Sequence, residues 1–242
     1  MIKKRLDQLL HERFAQYSGR QIQDWIKQGK AMVEGRIVTK PGTMVLPSAI
    51  FNLEIEEPKF VSRAGFKIEK ALDYFIIDVT GLIILDAGIS TGGFTDCLLQ
   101  RGAQKIYGID VGHSQVHEKI SSDPRVQVHE RTNLRALTSV GELVDMVTLD
   151  LSFISILKVM DAVCALLKPQ GQLVTLIKPQ FQAQPQDIGR GGIIKSSLIH
   201  QRVIKEVSLG VCHYGFELVG VIPSPIEGSS GNKEFLAYFK RI

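Results

Sequence analysis

One stretch of this 242-residue chain limits its possible folds more than any other. Residues 82–88 form an apolar, β-branched run, and the serine- and glycine-rich residues 88–93 follow it directly. A continuous apolar run of this length is typical of a strand that is buried on both faces of a parallel sheet. The glycines predict a tight turn after that strand, and the following pattern predicts a helix over residues 91–101.

Strand-like and helix-like segments then alternate along the chain. The pattern predicts strands over residues 82–88, 105–111, 126–130, 146–151 and 172–178, and helices over residues 91–101, 113–121 and 155–168. Such alternation predicts a Rossmann-like α/β fold, which is a doubly wound and mainly parallel sheet with right-handed crossovers. Ligands of such sheets bind outside the carboxyl ends of the strands.

Polar residues close several of the predicted strands: Asp86, Asp110, Asp150 and Lys178. The glycine spacing from Gly88 to Gly92 differs from the G-x-G-x-x-G of dinucleotide sites, which argues against a dehydrogenase. A carboxylate at the position of Asp110 can accept both hydroxyls of a ribose. Together these features favour S-adenosylmethionine as the cofactor and methyl transfer as the reaction. The simpler alternative is a strand–turn–helix unit that binds nothing.

Two methyl-transfer chemistries fit this sheet edge. Residues 150–153 distantly match the Asn/Asp-Pro-Pro-aromatic loop of amino-group methyltransferases, but the prolines are missing. Methylation of a hydroxyl instead requires a base, because the pKa of a hydroxyl lies far above neutrality. Lys178 is a candidate base if Lys67 lies nearby as a second cation. Asp150 would then orient this base, and Glu234 would complete the cluster.

The first 47 residues are much more basic than the rest of the chain. They hold nine Lys or Arg residues and four Asp or Glu residues, a surplus of +5, so the other 195 residues sum to −1 of the net charge of +4. A small basic module beside a near-neutral body favours a polyanion as partner, although a basic face can also be merely solvated. The candidate RNA-binding residues are Lys3, Lys4, Arg5, Arg20, Lys27 and Lys30.

Apolar residues at helical spacing predict two short helices in this module, with Ser18 as the cap of the second helix and Gly29 at its end. A hairpin over residues 32–38 follows. At these positions the chain resembles the S4 RNA-binding domain, through Arg5, Leu6, Asp7, Leu10, Ser18, Ile22, Ile26, Gly29, Val33, Gly35 and Pro41. The resemblance implies a small α+β module that binds structured RNA through its helical face. Gly19 stands where that family usually has arginine, and Arg20 follows one place later.

The whole chain resembles the TlyA (haemolysin A-like) family, which joins an S4 domain to an RrmJ/FtsJ-type ribose 2′-O-methyltransferase. The matching segments are residues 61–67, 85–96, 130–133, 150–154, 176–181, 191–192, 224–226 and 231–235. The resemblance implies an RNA-binding domain and linker over residues 1–58 and a methyltransferase domain over residues 59–242. A polar segment, residues 56–59, would join them. The resemblance also implies an enzyme that methylates cytidine riboses in ribosomal RNA.

The same resemblance implies site residues. The implied catalytic tetrad is Lys67, Asp150, Lys178 and Glu234. The implied cofactor-binding residues are Gly88, Ser90, Gly92, Phe94, Asp110 and Asp150, to which the strand-end pattern adds Asp86. A catalytically silent RNA-binding or ribosome-assembly factor remains an alternative, as does a methyltransferase that acts on a base amine.

The remaining sequence features limit other classes of function. Cys97, Cys164 and Cys212 lie far apart, which favours reduced thiols. His113 and His117 have a spacing that metals use, but no third ligand is near, so no metal is expected. A secretory signal and a membrane-spanning run are both missing from the sequence pattern, so we expect a cytoplasmic protein without a membrane partner.

Overall fold

A computed structural model describes residues 2–55, 58–228 and 230–242. The chain divides into two compact units, Met1–Pro58 and Lys59–Ile242, each with its own hydrophobic core. Two residues of the expected linker, Glu56 and Glu57, lie outside the described residues.

The N-terminal unit is a small α+β module. Its elements are β1 (Lys4–Arg5), α1 (Leu6–Arg13), α2 (Gly19–Lys27), β2 (Ala31–Val33), β3 (Arg36–Val38), β4 (Met44–Val45) and β5 (Phe51–Leu53). Strand β2 pairs antiparallel with both β3 and β5, and β1 pairs with β4. The predicted cap is confirmed, because the Ser18 hydroxyl accepts the N–H of Gln21 while the Gln21 side chain accepts the N–H of Ser18.

Helices α1 and α2 bury the apolar residues that the helical spacing placed on one face. Leu6 and Leu10 of α1 and Ile22 and Ile26 of α2 are fully buried, each pair four residues apart. Trp25 lies in the same core, where its indole ring makes an edge-to-face contact with the ring of Tyr17. The tryptophan is therefore a core residue of this unit.

The C-terminal unit is an α/β fold around a mixed sheet. Its elements are α3 (Ala64–Phe75), β6 (Ile83–Ala87), α4 (Gly93–Gln100), β7 (Lys105–Ile109), α5 (Glu118–Ser121), β8 (Val126–His129), β9 (Val144–Leu149), α6 (Met160–Leu166), β10 (Leu167–Ile177), α7 (Ser197–Cys212), β11 (Phe216–Pro223) and β12 (Phe235–Arg241). Within the described part of the chain, seven strands form this sheet in the order β11-β12-β10-β9-β6-β7-β8.

Strands β10, β9, β6, β7 and β8 run parallel, and β12 and β11 add an antiparallel edge. The chain leaves β6 toward β7 on one side and returns to β9 on the other side. The carboxyl ends of β6 and β9 therefore flank the topological switch point, where doubly wound sheets bind their ligands. The predicted fold class is confirmed.

The sheet is buried on both faces, as its continuous apolar strands require. Successive residues of a strand alternate between the faces, so Ile84 and Leu85 belong to different core clusters. Helices α3 and α4 contribute to the Ile84 cluster, and α6 and α7 contribute to the Leu85 cluster.

Two predicted helices differ from the structure. The helix expected over residues 113–121 is wrong for its first half, because only Glu118–Ser121 is helical and Ser114 has a left-handed φ of +55°. The helix expected over residues 155–168 begins as a 3-10 turn at Ile156–Val159 and ends at Leu166.

Candidate active site

The turn after β6 brings the backbone close to the end of β9. Gly88 has a φ of +85°, and a Cβ atom built there would lie 2.5 Å from the carbonyl oxygen of Asp150. The N–H of Asp150 in turn donates to the carbonyl of Ala87 at 3.0 Å. Since there is no room for a side chain, glycine is required for the two strand ends to meet this closely.

A cavity of about 410 Å³ opens beside this turn, at the carboxyl ends of β6, β7 and β9. The predicted cofactor-binding residues in its lining are Gly88, Ser90, Asp110 and Asp150. Its other polar lining residues include Gln115, Thr132, Asn133 and Ser152. A mostly apolar cavity with a few convergent polar groups is the usual form of a small-molecule site.

Asp110, which follows β7, organises one side of the cavity. Its Oδ2 atom accepts the N–H of Ser90 at 2.9 Å, and its Oδ1 atom accepts the N–H of Gly112 at 2.7 Å. Ser90 has a φ of +48°, so this contact also fixes an uncommon turn conformation. Each carboxylate oxygen retains a lone pair for a further donor, such as one of the two hydroxyls of a ribose.

Asp86, Gly92 and Phe94, three of the predicted cofactor-binding residues, lie outside the cavity lining. The fully buried carboxylate of Asp86 accepts the hydroxyls of Thr95 at 2.7 Å and Thr148 at 2.8 Å. Burial raises the pKa of this carboxyl to about 6, against the opposing effect of those hydrogen bonds. Phe94 packs in the hydrophobic core, and Gly92 caps α4 with a φ of +98°. Asp86 therefore joins β6 to α4 and β9, and the role of these three residues toward a cofactor stays a prediction.

Lys178, which follows β10, contacts two side chains of the segment after β9. Its Nζ atom lies 2.6 Å from Oδ1 of Asp150 and donates a hydrogen bond to the hydroxyl of Ser152 at 3.0 Å. The contact with Asp150 is an ion pair without hydrogen-bond geometry at that carboxylate oxygen. Asp150 and Ser152 line the cavity, so the amine of Lys178 lies next to it.

A second lysine–carboxylate pair joins α3 to the start of β12. The Nζ atom of Lys67 donates to Oε2 of Glu234 at 2.6 Å, and both side chains are buried. Because a buried charge is costly without a partner, each residue of this pair requires the other.

Strand pairing brings the two ion pairs to the same end of the sheet, where its parallel strands have their carboxyl ends. Ile177 of β10 is the register partner of Phe235 of β12, so Lys178 and Glu234 each lie one residue beyond that pair. Parallel pairing of β9 with β6 and β10 places Asp150 at the same end. The structure therefore brings together the four residues of the predicted tetrad, whose roles stay predictions.

Other residues at this end of the sheet were not identified from the sequence. Ser152 contacts a lysine 26 residues away, and Phe153, whose side chain is 90% exposed, lines the cavity with a φ of +63°. Its ring packs on that of Phe181 with centroids 4.9 Å apart. The only sequence signal was their position next to Asp150, since neither a left-handed backbone nor a long-range contact has a sequence pattern of its own.

Residues 60–241 match the family model of the FtsJ-like methyltransferases, and residues 4–50 match that of the S4 domain. This chain belongs to the FtsJ-like methyltransferase family. The N-terminal unit of this family member is an S4 domain, as the resemblance implied.

Several relatives match this chain over nearly its whole length. Hemolysin A of Brachyspira hyodysenteriae is 39% identical over 239 residues, which cover 97% of this chain and 99% of that protein. The 16S/23S rRNA (cytidine-2′-O)-methyltransferase TlyA of Mycobacterium tuberculosis is 37% identical over 241 residues, which cover 98% of this chain and 90% of that protein. A solved structure of a protein described as a hemolysin, from Streptococcus thermophilus, has a TM-score of 0.75 at 36% identity and covers 100% of this chain and 89% of its own. These matches confirm the expected TlyA-type family.

The basic residues predicted to bind RNA differ in their surroundings within the S4 domain. Lys3 and Arg20 are exposed, whereas Lys30 is half-buried. Lys4 and Lys27 form exposed ion pairs with nearby acidic residues, at 3.0 Å and 3.3 Å. Such exposed pairs are weak, so these lysines can still exchange their partners for phosphates.

Arg5 has a different environment, because its guanidinium is bound to a buried carboxylate. Its Nε and Nη2 atoms donate to the two oxygens of Asp7 at 3.0 Å and 2.8 Å, and Gln23 of α2 donates to the same carboxylate at 3.0 Å. The hydrogen bonds from Arg5 lower the pKa of Asp7. The Asp7–Gln23 hydrogen bond therefore joins α1 to α2, and Arg5 neutralises the carboxylate that makes it.

Two further features, a membrane-spanning helix and a metal-binding cluster, are absent from the described residues. These residues contain no helix long and apolar enough to cross a membrane. Within that same part of the chain, no cluster of three or more His, Cys, Asp or Glu side chains is arranged to hold a metal ion.

Proposed function

We propose that this protein is an S-adenosylmethionine-dependent methyltransferase that methylates the ribose 2′-hydroxyl of cytidine in ribosomal RNA. The observation that carries the proposal is the position of two lysine–carboxylate pairs at the same end of the sheet, with Asp150 of one pair in the lining of the cavity beside Gly88. The relatives' names and the S4 domain support ribosomal RNA as the substrate. Ribosomal RNA as substrate also implies a cytoplasmic location.

The cavity fits the adenosine part of this cofactor. At about 410 Å³ it has the volume of a small-molecule site, and its lining includes Gly88, which lets the ends of β6 and β9 approach closely. Asp110 presents a fixed carboxylate for the ribose hydroxyls, and Ser90 is held against it. When bound, the cofactor supplies an electrophilic methyl group on a positively charged sulfur.

The lysine pairs supply the chemistry that a hydroxyl needs. A 2′-hydroxyl is a weak nucleophile until a base removes its proton, and that base must be uncharged at the moment of attack. We assign this role to Lys178, whose Nζ atom is held in one direction by Asp150 and Ser152. Because the carboxylate of Asp150 favours the charged amine, Lys178 has to lose its proton before it can act as the base. Lys178 would accept the proton of the 2′-hydroxyl as the ribose oxygen attacks the methyl group that the bound cofactor would supply.

Lys67 and Glu234 complete the arrangement on the side of β12. Their buried ion pair places one cation and one carboxylate at the same end of the sheet as Lys178, without net charge. Lys67 can then stabilise the developing negative charge on the ribose oxygen, while Glu234 keeps the lysine in place. Alignment of the oxygen, the methyl carbon and the sulfur contributes most of the acceleration, up to about 7–11 kcal/mol in well-oriented systems.

The test is incubation of the full-length protein with radiolabelled S-adenosylmethionine and purified ribosomal subunits, followed by nucleoside mass spectrometry. We expect 2′-O-methylcytidine in wild-type samples. The matched control is Lys205→Ala, an exposed lysine on α7 outside the site, which should label the RNA like the wild type. A label on a base would instead identify an amine methyltransferase.

The assembly-factor alternative predicts a different result in the same experiment. A protein that binds the subunits and the cofactor but transfers no methyl group would be an RNA-binding factor. The paired geometry of Lys67, Asp150, Lys178 and Glu234 favours the enzyme, because binding of RNA alone does not require two buried lysine–carboxylate pairs at the strand ends, one of which includes a carboxylate that lines the cavity.

A further inference from the structure

Two chain segments continue side by side beyond the sheet at the candidate active site. Residues 150–156 follow β9, and residues 178–182 follow β10. The two strands pair in parallel up to Leu149 and Thr175. Past that point the regular ladder ends, so side chains have to hold the segments in register.

Gln182 contributes most of the hydrogen bonds between these two segments. Its Oε1 atom accepts the hydroxyl of Ser155 at 2.9 Å and the N–H of Ile156 at 3.2 Å. Its Nε2 atom donates to the carbonyl of Ile154 at 3.4 Å. The amide of one half-buried side chain therefore binds three consecutive residues of the neighbouring segment.

The segment that Gln182 binds is the one that carries the groups around Lys178. Asp150 and Ser152 lie within six residues of the Gln182 contacts and hold the amine of Lys178. Phe153 lies between Ser152 and the residues that Gln182 binds, in a left-handed conformation with an exposed ring. That conformation is unfavourable for a residue with a side chain, so neighbouring contacts must maintain it.

We propose that Gln182 is a positioning residue, which sets the segment 150–156 against Lys178 so that Asp150 and Ser152 hold the lysine in its reactive direction. This inference rests on the proposed function. Gln182 itself lies outside the cavity lining, so it acts through the residues that it binds.

Three variants of the full-length protein test the role. Gln182→Met keeps the length and volume of the side chain but removes all three hydrogen bonds. Gln182→Glu keeps the two accepted bonds and loses the donated one. Gln186→Ala is the control, because Gln186 is an exposed glutamine in the same loop.

Methyl transfer to ribosomal RNA under single-turnover conditions should fall roughly 10- to 100-fold in Gln182→Met, since small displacements of reacting groups have effects of this size. Gln182→Glu should recover part of the rate, and Gln186→Ala should match the wild type. The KM for RNA should change less than threefold, because Gln182 is not assigned a contact with RNA. A wild-type rate in Gln182→Met would overturn the inference, and so would an unchanged kcat with a raised KM.

Hydrogen–deuterium exchange separates this inference from the proposed function. In Gln182→Met, a peptide covering residues 150–158 should exchange at least tenfold faster, while a peptide from β6 should keep its wild-type rate. Unchanged protection of residues 150–158 would refute the positioning role whether or not the wild type methylates RNA. Failure of the wild type to methylate ribose, with faster exchange in the variant, would reject the proposed function and leave the contact established.

Discussion

At the scale of single residues, Lys178 decides whether the proposed chemistry is right. Its amine contacts Asp150 and Ser152, and both neighbours line the cavity. A lysine in this position can serve as a base, or it can only hold the carboxylate of Asp150 in place. Arginine separates these roles, because it can pair with a carboxylate but does not give up its proton near neutral pH.

We therefore expect both Lys178→Ala and Lys178→Arg to lower the rate of methyl transfer by about 10²–10⁴-fold, the usual contribution of a general base. The dissociation constant for S-adenosylmethionine, measured by calorimetry, should stay within a fewfold of the wild type. Substantial activity in Lys178→Arg would show that the lysine acts only through its charge.

A second prediction at this scale concerns Asp86 and the pH dependence of the unfolding free energy. Its carboxyl has a raised pKa of about 6 in the folded protein because it is fully buried. The folded state therefore holds the proton more tightly than the unfolded state does. Asp86 therefore contributes on the order of 3 kcal/mol to the unfolding free energy below pH 4. This contribution is lost as the pH rises through 6.

Replacement of Asp86 by Asn removes this titration and keeps a polar group beside Thr95 and Thr148. We expect the unfolding free energy of the wild type, relative to Asp86→Asn, to fall between pH 4 and pH 6 in urea titrations. The control is Asp78→Asn, because hydrogen bonds from Thr80 lower the pKa of that exposed carboxyl, so its titration lies below pH 4 and should leave stability between pH 4 and pH 6 unchanged. A difference between the wild type and Asp86→Asn that does not vary with pH would contradict the prediction.

At the scale of elements, helix α2 depends on its cap. Ser18 and Gln21 satisfy each other's backbone N–H groups in a capping box, and the following residue, Gly19, is a poor helix former. The helix buries Ile22, Trp25 and Ile26, so its first turn fixes how these residues enter the core.

The substitution Ser18→Ala should destabilise the S4 domain by about 1 kcal/mol. Hydrogen exchange measured on the full-length protein should then be faster for the amides of α2, with β6 of the C-terminal unit unchanged. Ser48→Ala, in an exposed turn of the same domain, is the comparison. Equal exchange in the two variants would mean that the cap is dispensable.

The element scale also shows where sequence patterns were reliable. The mainly apolar run over residues 82–88 contains β6, because a strand buried on both faces carries apolar residues on both, and its one carboxylate, Asp86, is satisfied by two hydroxyls. The helix expected over residues 113–121 failed, because Ser114 has a left-handed backbone and Gln115 turns toward the cavity instead. A chain that wraps a ligand site is shaped by tertiary contacts, which helical propensity does not include.

At the scale of the whole molecule, charge is unevenly divided between the two units. The surplus of +5 in the first 47 residues contrasts with a body near neutrality. Lys3 and Arg20 of the S4 domain are exposed. Binding of phosphates by such side chains releases counterions, so the affinity for RNA should fall steeply as salt increases.

We expect Lys3→Ala and Arg20→Ala each to weaken binding to ribosomal RNA and to reduce the slope of log affinity against log salt by about 1. Fluorescence anisotropy at several salt concentrations measures both quantities. Arg125→Ala, which removes a cation already paired with Asp123 in the body, should leave the slope unchanged. A wild-type slope in Lys3→Ala and Arg20→Ala would assign RNA binding to other residues.

The sequence by itself determined the fold class, the two-part organisation and the identity of the strand-end residues, because burial of apolar runs and the carboxyl-end rule depend on local pattern alone. It did not determine which of those residues face the cavity. Asp86 and Asp110 both close predicted strands, yet the first is enclosed by Thr95 and Thr148 and the second lines the cavity. Only the tertiary structure decided this, since the direction of a side chain at a strand end depends on the neighbouring elements that pack against it. For the same reason, the contacts of Ser152 and Gln182 join segments 26 to 28 residues apart and have no counterpart in the local sequence.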